Sequence, residues 1–281
     1  MSYLRINYYK AIILLMAALI PIIFGLSRMP TVGNNSDINN PLNITTFNTE
    51  YWHSSERELL TSINWSKQDI ILLQEQLAFN GKSWYPIDHR QQIKDFAKGY
   101  NVASFGEVLT LTKYPIINIK RYGEGTAIRT DLQLEDSVII SVYNVHLPAH
   151  IYLPYLSHPT KFLSNVLENK SRRSFLMDEL LEDISSNLNP IIVGGDFNTS
   201  LAMNSIRRLK NSLNDSFALT HCTPTYGTWV IAPYISWRID YIFYSKHFSN
   251  KGEYCTEPQH NISDHFQLLV KLNKPSKVQN I

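Results

Sequence analysis

Short apolar runs bounded by turn residues recur along the chain from residue 44 onward: "NITTFNT", "DIILLQE", "EVLTLTKYPI", "AIRTDLQL", "SVIISVYNVHL", "PIIVGGDFN", "RIDYIFYS" and "FQLLVKL". Several are nearly continuous in apolar character, the pattern of strands covered on both faces. Helical spacing appears between some of them. "SSERELLTSIN" opens on serine caps with an acid in its first turn. "TKFLSNVLENKSRRSFLMDELLEDISSNL" carries Phe162, Val166, Phe175, Leu176 and Leu180 at helical spacing, and "LAMNSIRRLKNSL" is a shorter candidate. Strands follow one another without a helix between about residues 100 and 147, and again in the C-terminal third. A simple doubly wound parallel sheet has no place for such runs. The expected fold is an α+β sandwich of two packed sheets flanked by helices, one domain over residues 44–273 with a loose tail at 274–281.

A different pattern precedes that domain. Arg5 and Lys10 lead into "AIILLMAALIPIIFGL", 16 apolar or small residues from Ala11 to Leu26. A bilayer span takes about 20 such residues and a signal-peptide core about 7 to 15, so the run falls between. Nothing polar interrupts it to make an amphipathic face. Residues 1–27 therefore read as a signal peptide or membrane anchor, with the positive charges holding the N-terminus in the cytoplasm and the domain outside. The Asn-, Pro- and Gly-rich stretch that follows reads as a linker, 28–43. This segment supplies an expected membrane contact, and nothing in the sequence points to a protein partner.

Composition narrows the chemistry. A hydrophobic fraction of 44% and a charged fraction of 18% describe a globular chain. A net charge of +2 gives no general basic field of the kind sequence-independent nucleic-acid binders use. Cys222 and Cys255, the only cysteines, lack thiolate-metal spacing; export would permit one disulfide, and two buried thiols are the alternative.

Polar residues terminate the apolar strands. Asn48 follows "ITTF", Glu75 follows "IILLQ", His146 follows "VYNV", Asp196 and Asn198 follow "IIVGG", Asp240 sits inside "WRIDYIF", and Asp264 and His265 stand in "ISDH". Each alone is explained by a turn, a cap or a local pair. Together they form a set that burial would not tolerate unless the members were partnered. Asn48, Glu75 and Asp264 offer hard oxygen ligands suited to Mg²⁺ or Mn²⁺. Asp196, Asn198, His146, Asp240 and His265 offer a proton acceptor, amide donors and imidazole with a carboxylate to fix its tautomer. No G-x-S-x-G, Cys-His pair or P-loop is present, so an activated water is the expected nucleophile.

The ordered set "FNT", "LLQE", "NVHL", "GGDFNT", "RIDYIF" and "SDH" resembles the endonuclease/exonuclease/phosphatase family over about residues 44 to 271. The resemblance implies a DNase I-like four-layered α/β sandwich. It implies metal binding at Asn48 and Glu75, with Asp264 as a metal ligand or an acid just behind the metal site. It further implies water activation by Asp196, contact with the scissile phosphate by Asn198 and His146, and catalysis by His265 oriented by Asp240. The expected activity is divalent-metal-dependent phosphodiester hydrolysis, nucleic acid being the leading substrate and a nuclease outside the cytoplasm the leading reading. A lipid- or inositol-directed phosphoesterase and an inactive binding member are the alternatives. His150, His158, His221 and His260 are read as structural. Tyr226, Trp229 and Trp237 are read either as substrate-groove rings or as packing, and Lys170, Arg172, Arg173, Arg207, Arg208 and Lys210 as solvated helix faces.

Overall fold

Strand-forming runs fall into two sheets because each run has two apolar faces to cover. The architecture is that of a computed structural model describing residues 38–52, 56–150, 158–222, 227–232, 235–259 and 261–275, together with Tyr8, Lys10, Ile13, Val32 and Gly33. The strands are β1 (Pro41–Asn48), β2 (Ile70–Gln74), β3 (Leu77–Phe79), β4 (Trp84–Pro86), β5 (Asn101–Phe105), β6 (Val108–Thr112), β7 (Ile116–Tyr122), β8 (Ala127–Gln133) and β9 (Ile139–His146). They continue as β10 (Ile191–Asp196), β11 (Asn214–Asp215), β12 (Thr220–His221), β13 (Trp229–Ala232), β14 (Ile235–Trp237), β15 (Asp240–Tyr244), β16 (Gly252–Glu257) and β17 (Gln267–Asn273). The helices are α1 (Glu56–Ser62), α2 (Arg90–Ile93), α3 (Pro159–Ser186) and α4 (Asn204–Lys210).

One large sheet has the order β12-β16-β17-β1-β2-β6-β5 and the other β11-β15-β10-β9-β8-β7, while β3-β4 and β13-β14 form two separate two-stranded sheets. Between the large sheets, Ile44, Ile70 and Leu72 meet Val142, Ile192 and Ile242 in one core. The alternate residues of the same strands face outward. Ile71 and Leu73 pack with Leu59, Ile63 and Ile93 beneath α1 and α2. Val193, Tyr143 and Phe243 pack against Leu176 and Leu180 of α3. That period of two explains why "IILL" has no polar face: helices cover what the facing sheet does not. The result is the expected α+β, DNase I-like four-layered sandwich.

Several local readings shift. Strand pairing begins at Pro41, opposite Asn273, before the expected boundary at residue 44. Phe175 is exposed, and Leu176 beside it takes the buried position on α3. Cys222 and Cys255 form a disulfide. Most of segment 1–27, the linker between residues 34 and 37, Tyr226, His260 and residues 276–281 lie outside the described residues. Among the described residues no helix is long and apolar enough to cross a membrane.

Besides the short edge pair β12 with β16, two strand pairs are parallel, β1 with β2 and β9 with β10. Their C-terminal ends open on the same edge of the sandwich, and the sheets are held in register there by a buried amide bridge. Gln74 Nε2 donates to Asn144 Oδ1 at 2.7 Å, and Asn144 Nδ2 donates to the carbonyls of Leu73 (3.1 Å) and Leu109 (3.0 Å). The first glycine of "IIVGGDFN" lets the sheets close, and the second lets β10 lie tightly against its neighbour β9. A Cβ at Gly194 would lie 2.6 Å from Leu72 Cδ1 in the facing sheet; one at Gly195, where φ is +142°, would lie 1.8 Å from the Val145 carbonyl oxygen. Gly195→Ala is expected to cost about 3 kcal/mol or more, combining overpacking with backbone strain. Urea unfolding would measure it, and a loss under about 1 kcal/mol would mean the close approach is not needed.

Candidate active site

The edge that collects the parallel strand ends also collects the expected polar residues. Asn48 closes β1, Glu75 follows β2, His146 closes β9 and Asp196 closes β10. Asp240 opens β15 and His265 stands just before β17, both antiparallel strands that start where their neighbours end. Asp196 sits in register between His146 and Asp240. Glu75 and Asn198 hold positive φ, 62° and 47°, a backbone region that non-glycine residues enter when surroundings force it.

Asn48 links the two sheets. Its Nδ2 donates to Glu75 Oε1 at 2.9 Å and to Asp196 Oδ2 at 3.0 Å, while its Oδ1 accepts from the Glu50 N–H at 3.0 Å. Asn198 Nδ2 donates to the Leu147 carbonyl (3.0 Å) and to Asp196 Oδ2 (3.1 Å), and lies 3.3 Å from His146 Nε2. His265 Nδ1 pairs with Asp240 Oδ2 at 2.9 Å, which turns its Nε2 toward Asp196 Oδ2, 3.9 Å away. His146 has a looser counterpart: Nδ1 lies 3.2 Å from Glu107 Oε1, an ion-pair contact outside hydrogen-bond geometry, and Nε2 lies 3.7 Å from both Glu75 Oε1 and Asp196 Oδ2. Two imidazoles, each backed by a carboxylate, thus flank one buried aspartate.

Burial sets the charges. It raises Glu75 to about 7, opposed by His146 and the Asn48 amide. Burial also raises Asp196, and the neighbouring Asp240 adds to the effect. For the histidines burial acts downward and is outweighed. Glu107, Asp196 and Glu75 bring His146 to about 10; Asp240, Asp196 and Asp264 bring His265 to about 10. Near neutral pH the site therefore carries two imidazolium groups and a crowded set of acids, and Asp240 Oδ1 has no hydrogen-bond partner among the described residues.

That donor set fits a hard divalent cation. Ligand atoms of Glu75, His146 and Asp196 lie within 4.8 Å of one another, as do those of Asp196, Asp240 and His265. Carboxylate oxygen dominates, as Mg²⁺ or Mn²⁺ prefers, and a cation would favour the ionised form of Glu75 that burial opposes. Asp264 does not join the Glu75 cluster. Its Oδ2 accepts from Trp229 Nε1 at 2.7 Å and its N–H donates to Glu50 Oε2, which places it on the rim. Its Oδ1 lies 3.7 Å from His265 Nε2.

Comparison with known proteins bears directly on this arrangement. The Endonuclease/Exonuclease/phosphatase family model matches residues 45–265. The chain belongs to this family. Solved structures share its fold. A family protein from Bacteroides vulgatus aligns with a TM-score of 0.62 at 16% identity, covering 85% of this chain and all of that one (100%). The mannosyl-6-phosphatase of Bacteroides thetaiotaomicron gives 0.59 at 17% identity, with 83% and 100% covered. A 3′ phosphatase from Neisseria, bound to a product DNA hairpin, gives 0.60 at 13% identity, again with 83% and 100% covered. At such identities the likeness carries the fold alone. No curated protein sequence matches the chain.

Other parts of this family member were not evident from the sequence. Glu107, in the β5–β6 turn, has no strand-end signal and is brought to His146 by the hairpin. Arg173 is buried, not solvated: its guanidinium donates to the carbonyls of Pro148 and Phe197, bracing the two loops that carry His146 and Asn198. Arg238 pairs with Asp215 and lies over the ring of Tyr241, which leaves Asp240 for His265. His150 is held near 4 by burial with Arg173 nearby, and His221 Nε2 donates to the Phe217 carbonyl, so neither joins the site. His158 occupies the N-cap position of α3 without a side-chain capping bond.

Proton linkage follows from these shifts. The two histidines, raised from 6.5 to about 10, contribute stability that is complete below 6.5 and lost as pH rises through about 10. Glu75, raised from 4.5 to about 7, loses stability over that lower interval as it ionises. Metal-free protein should therefore lose stability continuously between about pH 5 and pH 10, and Mg²⁺ should restore more at pH 8 than at pH 5.5. Thermal melts with EDTA and with Mg²⁺ check this; a gain of about 4 °C at pH 8 and less than half that at pH 5.5 is expected. Equal gains at both pH values would contradict the assignment of Glu75.

Proposed function

We propose that the chain is a divalent-metal-dependent phosphodiester hydrolase, a nuclease acting outside the cytoplasm. The observation that carries this reading is the pair of carboxylate-backed histidines, His146–Glu107 and His265–Asp240, on either side of Asp196. A diester needs its non-bridging charge stabilised and its leaving oxygen protonated, and two imidazolium donors match those two demands. Glu75 and Asp196, with the Asn48 amide between them, are the residues to hold the cation, which when bound polarises the phosphoryl oxygen and neutralises developing charge.

The remaining roles belong to the chain itself. Asp196, made more basic by burial, accepts a proton from the attacking water. The Asn198 amide, fixed by Asp196 and the Leu147 carbonyl, donates to a phosphoryl oxygen beside His146. His265, oriented by Asp240, donates its Nε2 proton to the departing oxygen. Export is supported by Arg5 and Lys10 ahead of the apolar run, and by the Cys222–Cys255 disulfide, a bond that persists in oxidising compartments.

The purified chain should nick plasmid DNA with Mg²⁺ or Mn²⁺ and stop with EDTA. His265→Ala and Glu75→Gln should each lower kcat by about 10³-fold, the scale of one lost acid or metal ligand. Mannose 6-phosphate, inositol phosphates and sphingomyelin serve as comparison substrates. Turnover confined to one of those would remove the nuclease reading, and His265→Ala at wild-type rate on DNA would remove the mechanism assigned to His265.

A further inference from the structure

Exposed aromatic rings gather beside the site. Phe79 and Trp84 are a cross-strand pair of the β3–β4 hairpin, with ring centroids 5.2 Å apart, and Tyr51 stacks on Trp84 at 4.0 Å and 27°. Phe79, Trp84 and Tyr51 remain 54%, 45% and 39% exposed. The hairpin springs from the cation site: the Leu77 N–H donates to the Glu75 carbonyl at 2.7 Å, and the Ile87 N–H closes the far end on the Gln76 carbonyl at 2.9 Å. Phe79 lies four residues past Glu75, about 13 Å of extended chain at about 3.3 Å per residue, and Trp84 is its cross-strand partner.

Tyr51 reaches the same surface from the other side of the cluster. It lies three residues past Asn48, in a turn where Glu50, Tyr51 and Trp52 hold φ of 48°, 56° and 55°. Three consecutive non-glycine residues in the left-handed region form a strained turn that surroundings must hold. Here they do: Asn48 Oδ1 takes the Glu50 N–H, and Trp52 stacks on His89 at 3.8 Å. The rim continues through Asp264, whose N–H meets Glu50 and whose carboxylate meets Trp229, to Trp237, 49% exposed and paired with Trp229 across the β13–β14 hairpin.

We infer that this aromatic rim is a base-stacking platform for single-stranded nucleic acid, set beside the scissile phosphate; the inference rests on the nuclease reading above. A base within a duplex is already stacked and shows only its edges, so flat exposed rings select single strands and frayed ends. Charge argues the same way. A net charge of +2 supplies little phosphate attraction, so a polynucleotide must be held by contacts that do not depend on it. Stacking is such a contact, and it contributes roughly tenfold in affinity per base.

The test uses the purified full chain with EDTA present and a labelled twelve-residue oligothymidylate, an abasic oligomer of equal length and a twelve-base-pair duplex. Fluorescence anisotropy should show the oligothymidylate bound about tenfold tighter than the other two. Trp84→Ala should lose that advantage and Trp84→Phe should keep most of it, while neither changes binding of the abasic oligomer. Equal binding of all three ligands by the wild-type chain overturns the proposal, as does an equal loss on the thymidylate and abasic strands in Trp84→Ala. Cosedimentation with phosphatidylcholine–phosphatidylglycerol vesicles that depends on Trp84, with oligothymidylate binding unchanged in Trp84→Ala, also overturns it and marks the rim as a membrane contact. Cleavage with Mg²⁺ is read separately: Trp84-dependent binding without diester cleavage upholds the platform and removes the nuclease reading.

Discussion

Two carboxylates from different sheets, Glu75 and Asp196, share one amide, the side chain of Asn48. Both are buried, and buried acids brought together in a medium of low dielectric oppose their own ionisation. Glu75 accordingly sits near 7. The fold tolerates this because His146 and His265 stand within 4 Å as imidazolium groups, each backed by a further carboxylate. The site is thus an alternation of acid and imidazole at one edge, and a divalent cation is the species that would complete its charge balance.

The architecture follows from that requirement. Parallel strands deliver side chains to the same edge, and antiparallel neighbours begin there, so six chain-distant residues converge without a long loop. Precision between the sheets comes from contacts behind the site. The Gln74–Asn144 bridge fixes the register, and Gly194 permits the close approach that lets Asn48 span from one sheet to the other. Arg173 then ties the loops after His146 and Asp196 to α3.

Much of this was legible from residues alone, and the reasons are specific. Apolar runs that end on Asn, Glu, His or Asp report strand ends at a pocket, because burial leaves such groups few other places. That signal located Asn48, Glu75, His146, Asp196, Asp240 and His265. It failed where the partner arrives from a turn or a helix. Glu107 sits in an ordinary "FGE" hairpin, and Arg173 in a basic stretch that looks solvated. Asp264 stands on the rim, one carboxylate oxygen on Trp229 and the other 3.7 Å from His265 Nε2, a placement that its adjacency to His265 in sequence does not specify. The aromatic hairpin after Glu75 carried no chemical signal; only its position beside the site gives it meaning.

Cation binding is the claim on which the charge balance depends, and direct titration with Mn²⁺ followed by electron paramagnetic resonance tests it without reference to any substrate. One tight site per chain is expected, abolished in Glu75→Gln and retained in Asp264→Asn. Tight binding that survives Glu75→Gln, or that disappears in Asp264→Asn alone, would contradict the account.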